Sequence, residues 1–350
     1  MTSKQVIRYL NTSDGVRIAW AAAGSGAPLV KASNWLSHLE YDWESPIFRH
    51  WMTFFADHFR FIRYDERGCG MTDWDASNLS MDRWTEDLEA VIDAAKIDGP
   101  MTLLGLSQAG STCVAYAVRH PERVSKLILY GAYARGAYRR GQPDNEREYR
   151  AIVELMRIGW AKDNPAFRRV FTSRFIPGGT EEQIQWFTEL ARKTTSPNIA
   201  APILETRGHI DVSHLLDQIR VPTLVLHARD DNAIPFAEGK LIASRIPNAE
   251  FVELDSCNHI LLEHEPAWKR FCDAVLEFTG AGSEQPFASL SQREREILSL
   301  LTGGLSNADI AARLGISDKT VRNQLSKLFD KLGVWTRAQA IVFARERGYR

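Results

Sequence analysis

Short apolar runs recur along the first three-quarters of the chain, and the later ones alternate with stretches of helical character. The runs are Gln5–Leu10, Val16–Ala23, Leu29–Ala32, Phe61–Tyr64, Thr102–Leu104, Leu127–Tyr130, Thr223–His227 and Phe251–Leu254. Met81–Ala95, Ser111–His120 and Ala237–Ile246 read as helices between the later ones. That alternation predicts βαβ units, hence an α/β fold with a mostly parallel sheet covered on both faces. It breaks between about residues 135 and 220, where segments such as Asn145–Trp160 and Glu181–Lys193 are helical, polar and strand-free. An insertion between two strands of such a sheet sits above its carboxyl edge, where ligands bind.

A second unit follows. Thr279–Pro286 is rich in Gly, Ser and Pro and reads as a linker. The expected organisation is a first domain over residues 1–279, a linker over 280–289 and a small all-α domain over 290–350, which together account for a chain of 350 residues. Charge divides in the same place. Phe287–Arg350 holds 11 Lys/Arg against 6 Asp/Glu, while the remainder holds 32 against 38. A basic tail on an acidic body suggests that one part meets a polyanion and the other does not. Cys69, Cys113, Cys257 and Cys272 form no C-x-x-C pair, which fits free thiols in a reducing cytoplasm and argues against a disulfide scaffold or zinc site. The N-terminus lacks the apolar run of a signal peptide, and no stretch is long enough to span a bilayer. No metal or cofactor is expected.

The run Thr102–Leu104 leads into Gly105-Leu-Ser107-Gln-Ala109-Gly110 and then a helix. A serine on a tight strand-to-helix turn adopts a strained backbone, so the residues two before and two after it must be small. Gly105 and Ala109 meet that need. The bare string also fits a helix N-cap serine, but the strand before and helix after favour an exposed nucleophile. A nucleophilic serine needs a base, and the base needs an orienting carboxylate. Just past the last two strands stand His227-Ala-Arg-Asp230-Asp231-Asn-Ala-Ile-Pro235 and Asp255-Ser-Cys-Asn258-His259, followed closely by His264, the main rival to His259.

With Tyr64-Asp-Glu-Arg67-Gly68-Cys-Gly70-Met-Thr-Asp73 and His120-Pro-Glu-Arg-Val124, these motifs resemble the α/β-hydrolase superfamily over roughly residues 5–280. The resemblance implies an eight-stranded, mostly parallel sheet with a helical lid over about 135–220. It also implies Ser107 as nucleophile, His259 as base and Asp231, with Pro235 at the family's spacing, as acid. Asp230 is then a solvated neighbour. By position, the amides of Trp35 and Gln108 would form the oxyanion hole. Lys31-Ala-Ser33-Asn34-Trp35 departs from the family's usual His-Gly there, with Asn34 in place of a glycine. Of the lid aromatics Trp160, Phe167, Phe171, Phe175, Trp186 and Phe187, most are expected to form the lid's own core, with one or two facing a ligand. A small or medium apolar ester, lactone or acyl compound would suit such a pocket.

In the tail, Ser291-x-x-Glu294 and Ser306-x-x-Asp309 are capping boxes, and Gly315-Ile-Ser317 makes a tight turn into a third helix. Val321, Leu325, Leu328 and Leu332 repeat at helical spacing, with Gly333 as the stop, while Lys319, Thr320, Arg322, Asn323, Ser326 and Lys327 share the other face. From spacing alone this fits equally a groove-reading unit and a small bundle with a solvated basic face. Leu290-Ser-Gln-Arg-Glu-Arg-Glu-Ile-Leu298, Gly304-Leu-Ser-Asn307, Leu314-Gly-Ile-Ser317, Thr320-Val-Arg322 and Lys331-Leu-Gly-Val334 resemble the LuxR-type helix-turn-helix nearly throughout. That resemblance implies double-stranded DNA as partner, with Arg322, Asn323 and Ser326 toward bases and Lys319, Thr320 and Lys327 toward phosphates. It also implies a homodimer contact near Arg337–Phe343. The expected function is a transcription regulator whose hydrolase pocket senses, and can hydrolyse, a small-molecule ligand. An esterase or lactonase with an accessory tail, and an inactive receptor or dimerisation module, stay open.

Overall fold

The computed structural model describes residues 5–75, 78–281, 287, 290–332, 334–346 and 349. Most of the expected linker, and Gly333, lie outside them. Two compact units divide the chain at Thr279 and Gly280.

The first unit is built on an eight-stranded sheet of order β1-β2-β4-β3-β5-β6-β7-β8. Its strands are β1 (Val6–Asn11), β2 (Arg17–Ala23), β3 (Pro28–Lys31), β4 (Arg60–Tyr64), β5 (Met101–Leu106), β6 (Val124–Tyr130), β7 (Thr223–Ala228) and β8 (Glu250–Leu254). The pairings β1–β2 and β2–β4 are antiparallel and the rest parallel. This is the eight-stranded, mostly parallel sheet that the resemblance implied. The central strands β5, β6 and β7 are Leu-, Ile- and Val-rich and buried, as strands covered on both faces must be.

The helices of this unit are α1 (Tyr41–Glu44), α2 (Arg49–His58), α3 (Met81–Ala94), α4 (Ala109–Arg119), α5 (Pro143–Gly159), α6 (Ala166–Thr172), α7 (Glu181–Thr194), α8 (Pro197–Gly208), α9 (Phe236–Arg245) and α10 (Pro266–Thr279). Trp84, Leu88 and Val91 of α3 and Cys113, Val114 and Ala117 of α4 join one core with Val30, Leu103 and Leu129 of the sheet. Elsewhere Trp51 and Phe55 of α2 pack on Phe271 of α10 and Phe61 of β4, with ring centroids 4.7 Å and 5.2 Å apart at the closest pairs. Truncating such a buried ring to alanine costs about 3–5 kcal/mol.

Helices α5 to α8 form the insertion between β6 and β7, and no strand lies among them. Ile152, Val153 and Met156 of α5, Phe187 and Leu190 of α7 and Ile203 and Leu204 of α8 bury one another with Trp35, Leu36 and Ile47 of the body. The lid is therefore an amphipathic layer with its apolar side turned down.

The second unit consists of α11 (Gln292–Thr302), α12 (Asn307–Leu314), α13 (Asp318–Leu332) and α14 (Arg337–Glu346). Ser291 with Glu294 and Ser306 with Asp309 form reciprocal capping boxes, and Gly315 sits at φ 64°, a left-handed turn that favours glycine. Ile297, Leu298, Leu301, Ile310, Val321, Leu325, Leu328 and Leu332 make its core.

Candidate functional site

Strand β5 ends and α4 begins within a few residues, and Ser107 at the corner has φ 54°. A side-chain-bearing residue in that left-handed region costs about 1–2 kcal/mol, and neighbouring structure must hold it. The Ser107 amide donates to the Tyr130 carbonyl at 2.8 Å. A Cβ on Gly105 would lie 2.8 Å from the Gly110 Cα and 2.9 Å from the Cys113 Sγ, which explains why the turn takes a glycine there.

Asp231 and His259 come together from the loops after β7 and β8. The His259 Nδ1 donates to the Asp231 Oδ2 at 2.6 Å, which leaves Nε2 as the acceptor of the neutral ring. The Asp231 Oδ1 accepts from the amides of Ala233 and Ile234 at 2.8 and 2.9 Å. Burial opposes ionisation of Asp231, but His259 beside it, with these amides, holds the carboxyl below the ordinary aspartate value. Asp230 and His264 are exposed.

The His259 loop is fastened from several sides. Asn258 Nδ2 and the Leu262 amide donate to Glu265 at 2.9 and 2.6 Å, and Tyr130 Oη donates to the His259 carbonyl at 2.7 Å. From the lid, Gly178 donates to Asn258 Oδ1 at 2.8 Å, and the Phe175 ring meets the imidazole edge to face at 5.4 Å. No hydrogen bond joins the Ser107 hydroxyl to His259 among the described residues, but both line one cavity.

Two neighbouring chambers share Trp35, Ser107, Gln108 and Phe175 in their walls. With the solvent at their open mouths counted, they span about 740 and 1080 Å³ of atom-free space. The first is mostly apolar, lined by Phe48, Trp51, Met52, Phe55 and Phe187. The second is more polar, about half of its lining, and includes Tyr133, Arg140, Arg174 and Arg207. Of the six lid aromatics, Phe171, Phe175 and Phe187 reach the cavity, while Trp160 is buried in the lid core against Trp35 at 5.3 Å.

The backbone amides of Trp35 and Gln108 donate to no protein acceptor among the described residues. Asn34 is not in the positive-φ region, so its side chain is accommodated without strain. Its Oδ1 accepts from the Lys31 Nζ at 2.6 Å. Burial pulls the Lys31 ammonium down to about 8, against the attraction of Asp42.

Three groups escaped the sequence reading. Lys31 is one. The second is His227, which is fully buried with Nε2 3.6 Å from Asp231 Oδ2 and bonded to the Ile234 carbonyl at 3.1 Å. Burial holds its pKa below the ordinary histidine value. The third is Arg207 of α8, which pairs with buried Glu66 at 2.6 Å and donates to the Gln108 carbonyl at 3.1 Å. It ties the lid to the turn that carries Ser107. Of the three, only His227 left a trace in the sequence, at the end of β7 on the edge shared with Asp231.

In the tail, Arg322, Asn323, Ser326, Lys319 and Lys327 are exposed on α13, and Thr320 is half-buried with its hydroxyl 2.8 Å from that of Ser317. Arg322 pairs with Asp318 at 2.7 Å one turn back.

Residues 39–266 match the family model described as alpha/beta hydrolase fold. The chain belongs to that family. Residues 288–344 match the model of bacterial regulatory proteins, luxR family, so the hydrolase-fold unit is joined to a luxR-type DNA-binding domain. Over 256 residues the chain is 28% identical to the AB hydrolase superfamily protein YisY of Bacillus subtilis, covering 72% of this chain and 91% of that one. The tail is 47% identical over 73 residues to the DNA-binding transcriptional activator DevR/DosR of Mycobacterium tuberculosis, covering 21% of this chain and 34% of the activator. Among solved structures, the enol-lactonase of Burkholderia xenovorans superposes with a TM-score of 0.63 at 23% identity, over 78% of this chain and 100% of that one, a likeness of fold. No helix among the described residues is long and apolar enough to cross a membrane.

Proposed function

We propose that the chain is a cytoplasmic transcription regulator, working as a homodimer through α14, whose hydrolase unit binds and hydrolyses a small ester, lactone or acyl ligand. The observation that carries this reading is the 2.6 Å bond from His259 Nδ1 to Asp231, with Ser107 on a strained turn in the wall of the same cavity.

The chemistry follows from the positions. Asp231 fixes the imidazole with Nε2 free to accept a proton. As Ser107 Oγ attacks the ligand carbonyl, its proton passes to Nε2. The tetrahedral oxyanion takes hydrogen bonds from the amides of Gln108 and Trp35, donors whose loss costs about 10²–10³ in rate. The proton on Nε2 then goes to the leaving group, and an acyl–Ser107 ester remains. Water, deprotonated by His259, cleaves that ester and restores the serine. Contact between the two side chains tightens when the ligand enters, as in many unliganded hydrolases.

A fluorophosphonate probe tests the reading, because it reacts only with an activated serine. The full chain is expected to acquire one adduct, mapped by mass spectrometry to Ser107, and His259→Ala is expected to lose it. An unlabelled native chain, or labelling that survives His259→Ala, would remove the catalytic reading.

On the DNA side, Arg322, Asn323 and Ser326 of α13 are proposed to meet base edges. Lys319, Thr320 and Lys327 are proposed to meet phosphates.

A further inference from the structure

Resting on the reading of this cavity as a ligand site, we infer that the ligand carries an anionic group of carboxylate type, seated on Arg140 in the polar chamber beside Ser107.

Three arginines line that chamber. Arg207 is neutralised by Glu66 at 2.6 Å. Arg174 is neutralised by Glu148 at 3.1 Å. Arg140 has no carboxylate partner among the described residues. Its Nε donates to the Arg135 carbonyl at 3.0 Å, and neither Nη group has a protein acceptor. The acids that could have served it are engaged elsewhere. Glu238 takes the Arg135 amide at 3.1 Å and the Arg135 Nη2 at 2.7 Å. Glu148 is held by Arg174, and Asp231 by His259.

Arg140 is half-buried, so its Nη groups face the chamber and are open to an incoming anion. The planar fork matches a carboxylate, which it grips through two parallel bonds. Tyr133, whose ring centroid lies 5.3 Å from the guanidinium carbon, lines the same chamber, and its hydroxyl makes no hydrogen bond among the described residues. It supplies a further donor. The other chamber, beyond Ser107, is walled by Phe48, Trp51, Met52, Phe55 and Phe187. The ligand is therefore two-ended, with an apolar arm on one side of the reacting carbonyl and an anion on the other.

The test uses the full chain carrying Ser107→Ala, so that nothing is turned over. Calorimetric titrations compare 4-(butanoyloxy)benzoate with its neutral carboxamide. The acid should bind about tenfold or more tightly, the discrimination expected of a charge-assisted pair. Adding Arg140→Gln should abolish the preference while leaving the affinity for the amide nearly unchanged, which also shows that the variant is folded. Arg140→Lys should keep part of it. Equal affinity for acid and amide, binding of neither, or a preference that survives Arg140→Gln overturns the anion seat. A preference for the acid in a chain whose native form takes no fluorophosphonate removes the hydrolytic reading alone and supports the seat.

Discussion

Single residues at this site carry costs that the surrounding fold must offset. Ser107 holds a left-handed backbone, and Gly131, at φ 54°, brings the chain so close to the imidazole that a Cβ there would lie 2.9 Å from the His259 Cε1. Lys31 is the clearest case. Its ammonium is buried at the floor of the cavity, with a pKa lowered from 10.5 to about 8. Between those values the unfolded chain keeps a proton that the folded chain has released, so Lys31 adds stability as pH rises through the window. The stability of the native chain relative to Lys31→Met should therefore climb between pH 8 and 10.5, by up to about 3 kcal/mol. Urea unfolding of both proteins across that range measures it, and a flat or falling difference would count against a desolvated ammonium. Nothing in the string Lys31-Ala-Ser33-Asn34 announces this. A lysine at a strand end is ordinarily solvated, and what buries this one comes from α1, α2 and β5. Ser107, Asp231 and His259, the proposed triad, each sit in a short local motif, so they can be named from the sequence alone. Arg207 cannot, since its partner Glu66 lies 141 positions away.

Elements were legible where patterning is local. Apolar runs mark all eight strands, but those for β5 and β6 are shorter than the strands, because Gly105-Leu106 resembles a turn and Val124-Ser125-Lys126 alternates too weakly. The insertion was read as helical and strand-free, and α5 to α8 are so. Between Ala32 and Phe61, α1 and α2 lie where no helix is expected from the sequence. The last turn of α2 carries a buried Phe55 beside His58, and α1 is a single turn. In the tail, α13 presents its polar face to solvent, and Arg322 on it pairs with Asp318 at 2.7 Å, a contact that the proposed base readout would have to break. Arg322→Ala should weaken binding to a genomic fragment enriched by the chain by about 1–3 kcal/mol, with little change in binding to random duplex. Lys327→Ala should weaken both alike and lower the salt slope by about one. Fluorescence anisotropy at several salt concentrations separates the two. Equal losses on both DNAs for Arg322→Ala would move that residue to the phosphates.

At the scale of the whole chain, a cavity lined by Ser107 and His259 and a luxR-type DNA-binding domain share one polypeptide, divided at Thr279 and Gly280. The central claim is that occupancy of the first unit changes the DNA affinity of the second. Such coupling is a free energy, commonly worth about 5- to 150-fold between sites. The direct measurement compares the full chain with and without a fluorophosphonate adduct on Ser107, titrated with the enriched genomic fragment at fixed salt. The account predicts dissociation constants that differ by about fivefold or more, with the difference lost in Ser107→Ala treated in the same way. Identical affinities for the modified and unmodified chain would contradict it.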